Sequence, residues 1–188
     1  MIFYLHGFNS SPQSRKAQQL KEYLEERGLG GRFACPSLPH WPDDAIRVVE
    51  HELRHRRGDT ATLVGSSLGG YYATYVSERH GLRAVLINPA IDPHVGLRAC
   101  LGQQHKYYSD ETYELTGEHL RQWERQFVPH IHPERYLLLV ETGDELLDYR
   151  VAVKRYRGAQ QVVVQGGDHS FSSFPEQLPH ILGFAGMS

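Results

Sequence analysis

Residues 61–72 read Ala-Thr-Leu-Val-Gly-Ser-Ser-Leu-Gly-Gly-Tyr-Tyr, and this stretch constrains the fold more than any other. A short β-type run enters Gly-x-Ser-x-Gly and an amphipathic helical pattern leaves it at once, which is the strand-turn-helix context of a nucleophile elbow. A serine at the apex of so tight a turn takes a strained backbone conformation. Side chains at positions 65 and 69 would collide with the neighbouring strand and helix, hence the glycines. Ser67 is the candidate nucleophile, with Ser66 in the tolerant position before it. Leu68 offers a backbone N–H at a helix start, where unpaired amides and the helix dipole favour an oxyanion.

Around that element the chain alternates between strand and helix. Residues 2–5 form an apolar strand that ends in His6-Gly7-Phe8-Asn9-Ser10-Ser11-Pro12. It begins almost at the first residue, so any segment that precedes it in larger proteins of such a fold is expected to be absent. Ser11 before Pro12 predicts a helix start, with Ala17, Leu20 and Leu24 on one face and Gly28 as the stop. A weak strand over 32–35 and a proline-punctuated loop over 36–42 come next. The following helix, from Asp43 to Gly58, turns Ile46, Val49 and Leu53 inward. Residues 60–64 are the third strand, and 68–80 the elbow helix, with Leu68, Tyr72, Tyr75 and Val76 on its apolar face and Gly81 as its C-terminal stop. Residues 83–87 are near-continuously apolar, as a strand covered on both faces should be. Strands over 136–140 and 161–164 complete the series, each followed by a helix, the first with Tyr149, Val153 and Tyr156 inward and the second over 175–184. The alternation predicts an α/β class of three layers around a mainly parallel sheet of about six strands.

Residues 89–134 break the pattern. Some 45 residues without a strong strand, carrying Tyr107, Tyr108, Tyr113, Trp123 and Phe127, are too long for a simple crossover. One helix is expected near 95–101 and a better one after Thr116, with Leu120, Trp123 and Phe127 at helical spacing. The insertion reads as a small helical cap over the site, within a single domain spanning 1–188.

Composition removes several classes of function. With 188 residues, 22% charged, a net charge of -2 and a pI of about 6.6, the chain has no basic footprint for nucleic acid or an anionic membrane. A small-molecule partner is expected; oligomeric state is not legible. No apolar run approaches the roughly 20 residues of a membrane span. Cys35 and Cys100 lack paired spacing and no secretory leader precedes residue 2, so cytoplasmic residence with free thiols is the expectation. Cys35 reads as a buried small hydrophobe. His51 and His55 sit i, i+4 on a helix, but no third ligand is in reach, so no metal is expected. His130 and His132 read as cap surface, and His6 as a brace for its own loop.

In open α/β sheets the loops at the carboxyl ends of the strands line the ligand crevice. Four such loops carry suggestive residues: Gly7-Phe8, Ser67, Asp144 and His169. A serine hydroxyl needs a base to take its proton and a carboxylate to orient that base. His169, in a glycine-rich loop after the last strand, is the candidate base. Asp144 is the leading orienting acid; Asp148, one turn into a helix, and Asp168, adjacent to the base, compete with it. The backbone N–H groups of Phe8 and Leu68 would form an oxyanion hole. Tyr107, Tyr108, Trp123 and Phe171 are candidates for substrate binding.

Over essentially its whole length the chain resembles the YqiA-type esterases, small bacterial α/β-hydrolases. The likeness is carried by residues 4–12, by Gly65-Ser66-Ser67-Leu68-Gly69-Gly70, by Asn88-Pro89-Ala90, by Thr142-Gly143-Asp144-Glu145 with Leu147-Asp148-Tyr149-Arg150, and by Gly166-Gly167-Asp168-His169-Ser170-Phe171. The resemblance implies an α/β-hydrolase fold and cofactor-free hydrolysis of short aryl or alkyl esters, with acyl-CoA thioesters as a further class. It places Ser67, Asp144 and His169 on the family's triad motifs. Two other readings use the same pocket: a non-catalytic ligand-binding protein, and an acyltransferase.

Overall fold

The computed structural model describes residues 1–56 and 60–187. In chain order the elements are β1 (Ile2–Leu5), α1 (Arg15–Glu25), β2 (Phe33–Ala34), α2 (Pro42–His55), β3 (Thr62–Ser66), α3 (Leu68–His80) and β4 (Arg83–Ile87). The insertion follows with α4 (Pro93–Gly96), β5 (Gly102–His105), β6 (Thr112–Leu115) and α5 (Gly117–Arg125). Then come β7 (Tyr136–Glu141), α6 (Tyr149–Arg155), β8 (Gln160–Val164) and α7 (Phe174–Phe184). Six strands form one sheet in the order β2-β1-β3-β4-β7-β8, and every neighbouring pair is parallel.

Because side chains alternate across a strand, the central strands feed two separate cores. Phe3, Leu5, Leu63, Leu86 and Leu138 face one side, where α2, α3, α5 and α6 cover them. Ile2, Tyr4, Val64, Val85 and Leu139 face the other, under α1 and α7. Covering on both faces is why β1, β4 and β7 read as unbroken apolar runs. The expected three-layer α/β architecture is the one observed.

Some boundaries differ from the sequence reading. Helix α3 and strand β4 match theirs. Helix α1, however, begins three residues after Pro12: the Ser11 hydroxyl and carbonyl accept the N–H groups of Gln13 and Ser14 in a turn instead. That turn delays the helix because serine side chains satisfy local donors as readily as helical carbonyls do. Strand β3 starts at Thr62, whose N–H pairs with the Met1 carbonyl, and runs on to Ser66. Leu53 and Tyr75 are half-buried rather than core, and Gly58, expected to end α2, lies outside the described residues.

The largest departure is in the insertion. Residues 102–115, expected without strand, form an antiparallel hairpin in which Gln104 pairs with Tyr113. Helix α5 does begin after Thr116, whose hydroxyl and N–H both meet the His119 ring. It stops at Arg125, however, and leaves Phe127 partly exposed under the Arg155 guanidinium. The cap is therefore mixed rather than helical. His132 is tied to Glu78. No helix among the described residues is long and apolar enough to cross a membrane.

Helix α3 enters the sheet very closely. A Cβ at Gly69 would land on the Leu5 carbonyl of β1, and one at Gly65 on the Gly69 carbonyl. Backbone atoms of a central strand cannot yield as side chains can, so Gly69→Ala should cost at least about 3 kcal/mol. At the usual size scaling its thermal midpoint should fall by roughly 6–12 °C. A midpoint within about 2 °C of wild type would contradict this packing.

Candidate active site

The elbow between β3 and α3 sets the first side chain. Ser67 has φ 54° and ψ -119°, a region that a residue with a side chain occupies only when its surroundings impose it. Here its N–H donates to the Ile87 carbonyl of β4 (3.0 Å), and its carbonyl accepts from Gly70 (2.9 Å) and Ala90 (3.0 Å). The turn is thus pinned on both sides, and the hydroxyl projects from the carboxyl edge of the sheet.

From the loop after β8, His169 brings Nε2 to 3.0 Å from Ser67 Oγ. Its Nδ1 lies 2.9 Å from Asp144 Oδ2, in the loop after β7. An ionised carboxylate accepts only, so Nδ1 carries the proton and Nε2 is left to accept from the serine. The second carboxylate oxygen of Asp144 takes the N–H groups of Leu146 (2.9 Å) and Leu147 (2.8 Å). Burial pushes the Asp144 carboxyl up, but the His169 hydrogen bond and these two amides outweigh it and hold it below the usual carboxylate range.

The three carboxylates open at the sequence level are separated by this geometry. Asp148 caps α6 through the Arg150 N–H and is half exposed. Asp168 donates its backbone N–H to Glu141 (2.7 Å), and its Oδ1 is buried without a hydrogen-bond partner. Asp144 alone of the three meets the imidazole.

On the other flank, Gly7 follows β1 in direct contact with the elbow: a Cβ there would sit 3.4 Å from both the Ser66 carbonyl oxygen and Ser67 Cβ. Phe8 comes next, and Leu68 opens α3 where its N–H has no intrahelical acceptor. His6 braces this loop as expected. Its Nε2 accepts the Leu38 N–H (3.0 Å), so its Nδ1 proton faces the Gly7 carbonyl (3.1 Å). Burial lowers its pKa to about 4 and keeps it neutral.

A cleft of about 660 Å³ opens over Ser67, within the range of small-molecule sites. Its apolar wall comes from the insertion, through Ile91, Leu97, Tyr107 and Tyr108, and Phe171 contributes from the buried side. Trp123 is a correction. It is 1% exposed in the core beneath α3, donates Nε1–H to the Tyr72 hydroxyl (2.9 Å), and does not line the cleft. Helical spacing put it on an inward face, but that face meets the core rather than the site. His51 and His55 lie exposed beside each other, and no group of three or more His, Cys, Asp or Glu among the described residues could hold a metal.

Two residues that hold the site were missed. Glu141, at the end of β7, is fully buried, and its carboxylate accepts Asp168 N–H (2.7 Å), Ser172 N–H (3.1 Å), Ser173 N–H (2.8 Å) and Ser173 Oγ–H (2.6 Å). Asn88 accepts the Glu141 N–H (3.0 Å) and donates to the Asp168 carbonyl (3.0 Å). Together they fasten the loop that carries His169. An acidic residue closing an apolar strand was the available signal for Glu141: a charge there needs several donors.

Fold and site together define a protein of the α/β-hydrolase fold class with a serine, histidine and aspartate in one hydrogen-bonded chain. The solved structure of mouse alpha/beta hydrolase domain-containing protein 10 shares that fold, with a TM-score of 0.74 at 17% identity, over 97% of this chain and 87% of that one. The model of UPF0227, an uncharacterised protein family, matches residues 1–186, and the chain belongs to this family. A UPF0227 protein of Shewanella sp. (strain ANA-3) is 23% identical over 188 residues, 98% of each chain. Another, from Shewanella baltica (strain OS155 / ATCC BAA-1091), is 26% identical over 108 residues, which cover 57% of this chain and 60% of that protein.

The Glu141 carboxyl is driven up by burial and brought down further by its four hydrogen bonds, to below its ordinary 4.5. A group that binds its proton more weakly when folded stabilises the fold above its unfolded pKa and loses that contribution as pH falls. Urea midpoints of wild type should therefore drop as pH falls below about 4.5. Glu141→Gln should start lower at pH 7 and drop less. Parallel curves would show that the clamp does not titrate as described.

Proposed function

We propose that this protein is a serine esterase that hydrolyses carboxylic esters of short acyl groups through an acyl-enzyme on Ser67. The observation that supports the reading is the unbroken chain Ser67 Oγ, His169 Nε2, His169 Nδ1, Asp144 Oδ2, with links of 3.0 and 2.9 Å, at the mouth of an apolar cleft. In this mechanism Ser67 Oγ attacks the ester carbonyl while its proton moves to His169 Nε2. Negative charge gathers on the former carbonyl oxygen, where the N–H groups of Phe8 and Leu68 would receive it, each worth roughly 3 kcal/mol of barrier. As the tetrahedral adduct collapses, the imidazolium hands its proton to the leaving alcohol. A water then repeats the sequence and releases the acid. Asp144 keeps the tautomer and stabilises the transient imidazolium.

The cleft's apolar wall fits the acyl part of the substrate. A thioester offers the same carbonyl to the same groups, so acyl thioesters are a second substrate class for this site, and no cofactor enters the scheme. Both cysteines are free thiols, which agrees with the reducing cytoplasm as the place of action.

Steady-state kinetics with an aryl acetate test the assignment. Ser67→Ala should lower kcat on the order of 10⁶-fold if the three groups act as a unit. Asp144→Asn should cost about 10⁴-fold, whereas Asp148→Asn should stay within about fivefold of wild type. Equal losses from the two aspartate variants would refute the assigned roles, and so would a Ser67→Ala enzyme within tenfold of wild type.

A further inference from the structure

The turn beside Ser67 is held from above as well as from below. Ser10 N–H closes it onto the Gly7 carbonyl (3.2 Å), and Asn9 sits inside it with φ 54°. Asparagine is among the few residues with a side chain that take this conformation readily. Three of its polar atoms then go to one partner, the β5–β6 hairpin of the insertion. Its carbonyl accepts the Tyr107 N–H (2.8 Å), Oδ1 accepts the Tyr113 hydroxyl (2.7 Å), and Nδ2 donates to Gln104 Oε1 (3.0 Å).

The hairpin side of this grip is itself fixed. Gln104 and Tyr113 are directly opposite each other in the ladder, so both reach down from one face. The Gln104 amide nitrogen donates to the Cys100 carbonyl (2.6 Å), which settles the direction in which its oxygen points. The Tyr113 ring stacks on His40 at 4.2 Å. Asn9 therefore joins two rigid pieces with different tasks. Phe8, the residue before it, carries the N–H that would receive the oxyanion. Tyr107, which it binds through the backbone, and Tyr108 line the cleft.

We propose that Asn9 is a positioning residue that couples the acyl wall to the oxyanion loop, so that an acyl group packed against the hairpin sets the placement of the Phe8 N–H. The inference rests on the esterase reading above and extends it to acyl selectivity. An oxyanion donor works only when it lies about 2.7–3.1 Å from the developing charge, so a small displacement of the turn is felt in the transition state and hardly in the bound substrate. A mere structural staple would change stability and leave kcat alone.

Two variants separate these possibilities. Asn9→Gly keeps the positive φ and the backbone bond to Tyr107 but removes both side-chain bonds. Tyr113→Phe removes one of those bonds from the hairpin side and keeps the ring on His40. Aryl acetate and aryl hexanoate are the substrates, assayed well below each variant's thermal midpoint. Asn9→Gly should lower kcat about 10–100-fold with KM within about twofold. Its hexanoate-to-acetate ratio of kcat should fall at least about threefold. Tyr113→Phe should lower kcat by about threefold or more, yet have no further effect in the Asn9→Gly background, because the bond it removes is already gone. Unchanged kcat with a lower midpoint, or effects that multiply in the double variant, would overturn the proposal. If Asn9→Gly does not fold, kcat of Tyr113→Phe alone decides. The esterase reading is judged separately: wild-type turnover that vanishes in Ser67→Ala upholds it whatever Asn9 does.

Discussion

The approach of the α3 backbone to β1 and β3 governs everything else in this molecule that bears on chemistry. Glycine at 65 and 69 lets main chain meet main chain where any side chain would intrude. The turn between them is then so short that Ser67 is driven to positive φ. The strain has a use, because it lifts the hydroxyl clear of the sheet and presents the first amide of α3 beside it. The same contact brings the end of β1, and so Gly7 and Phe8, against the serine. The placement of Ser67, Leu68 and Phe8 against one another thus follows from one packing decision, made by residues of no chemical character of their own.

The imidazole beside Ser67 is held in a different way. His169 sits on a loop without regular structure, and its position is secured by hydrogen bonds from four directions: Asp144 at the ring, Glu145 at its N–H, Asn88 at the preceding carbonyl, and Lys16 at the following one. Beneath them lies Glu141, a fully buried carboxylate. Removing a charge from water is expensive unless donors surround it, and here the loop's own amides supply them. A side chain at Gly167 would strike this carboxylate, so the loop can close over it only with glycine there. Two acidic residues three positions apart therefore do separate work, one orienting the imidazole and one fastening the chain that bears it.

How much of this the sequence disclosed depended on whether local chemistry or distant packing decided each element. Helix α3 and strand β4 were legible to the residue, since a glycine turn starts one, Gly81 in the left-handed region ends it, and a covered strand is apolar throughout. The order Ser67, Asp144, His169, in the loops after β3, β7 and β8, picked out three side chains that lie in one hydrogen-bonded chain. The hairpin of the insertion was not legible, because its inward residues include Gln104, which is placed by hydrogen bonds to Asn9 and Cys100 rather than by hydrophobicity. Trp123 misled for the opposite reason: its inward spacing was read correctly, but periodicity does not say which interior a face will meet. Glu141 escaped because a buried acid has no local pattern, and its donors lie some thirty residues further along.

The central claim is that Ser67, activated by His169, is a nucleophile. Intact-protein mass spectrometry after exposure to a fluorophosphonate tests it most directly, since such a reagent phosphonylates a serine that a neighbouring base has made reactive. The account predicts one adduct per chain, located by peptide mapping at Ser67 and lost in His169→Ala. An unmodified protein under conditions that label a known serine esterase to completion would contradict it.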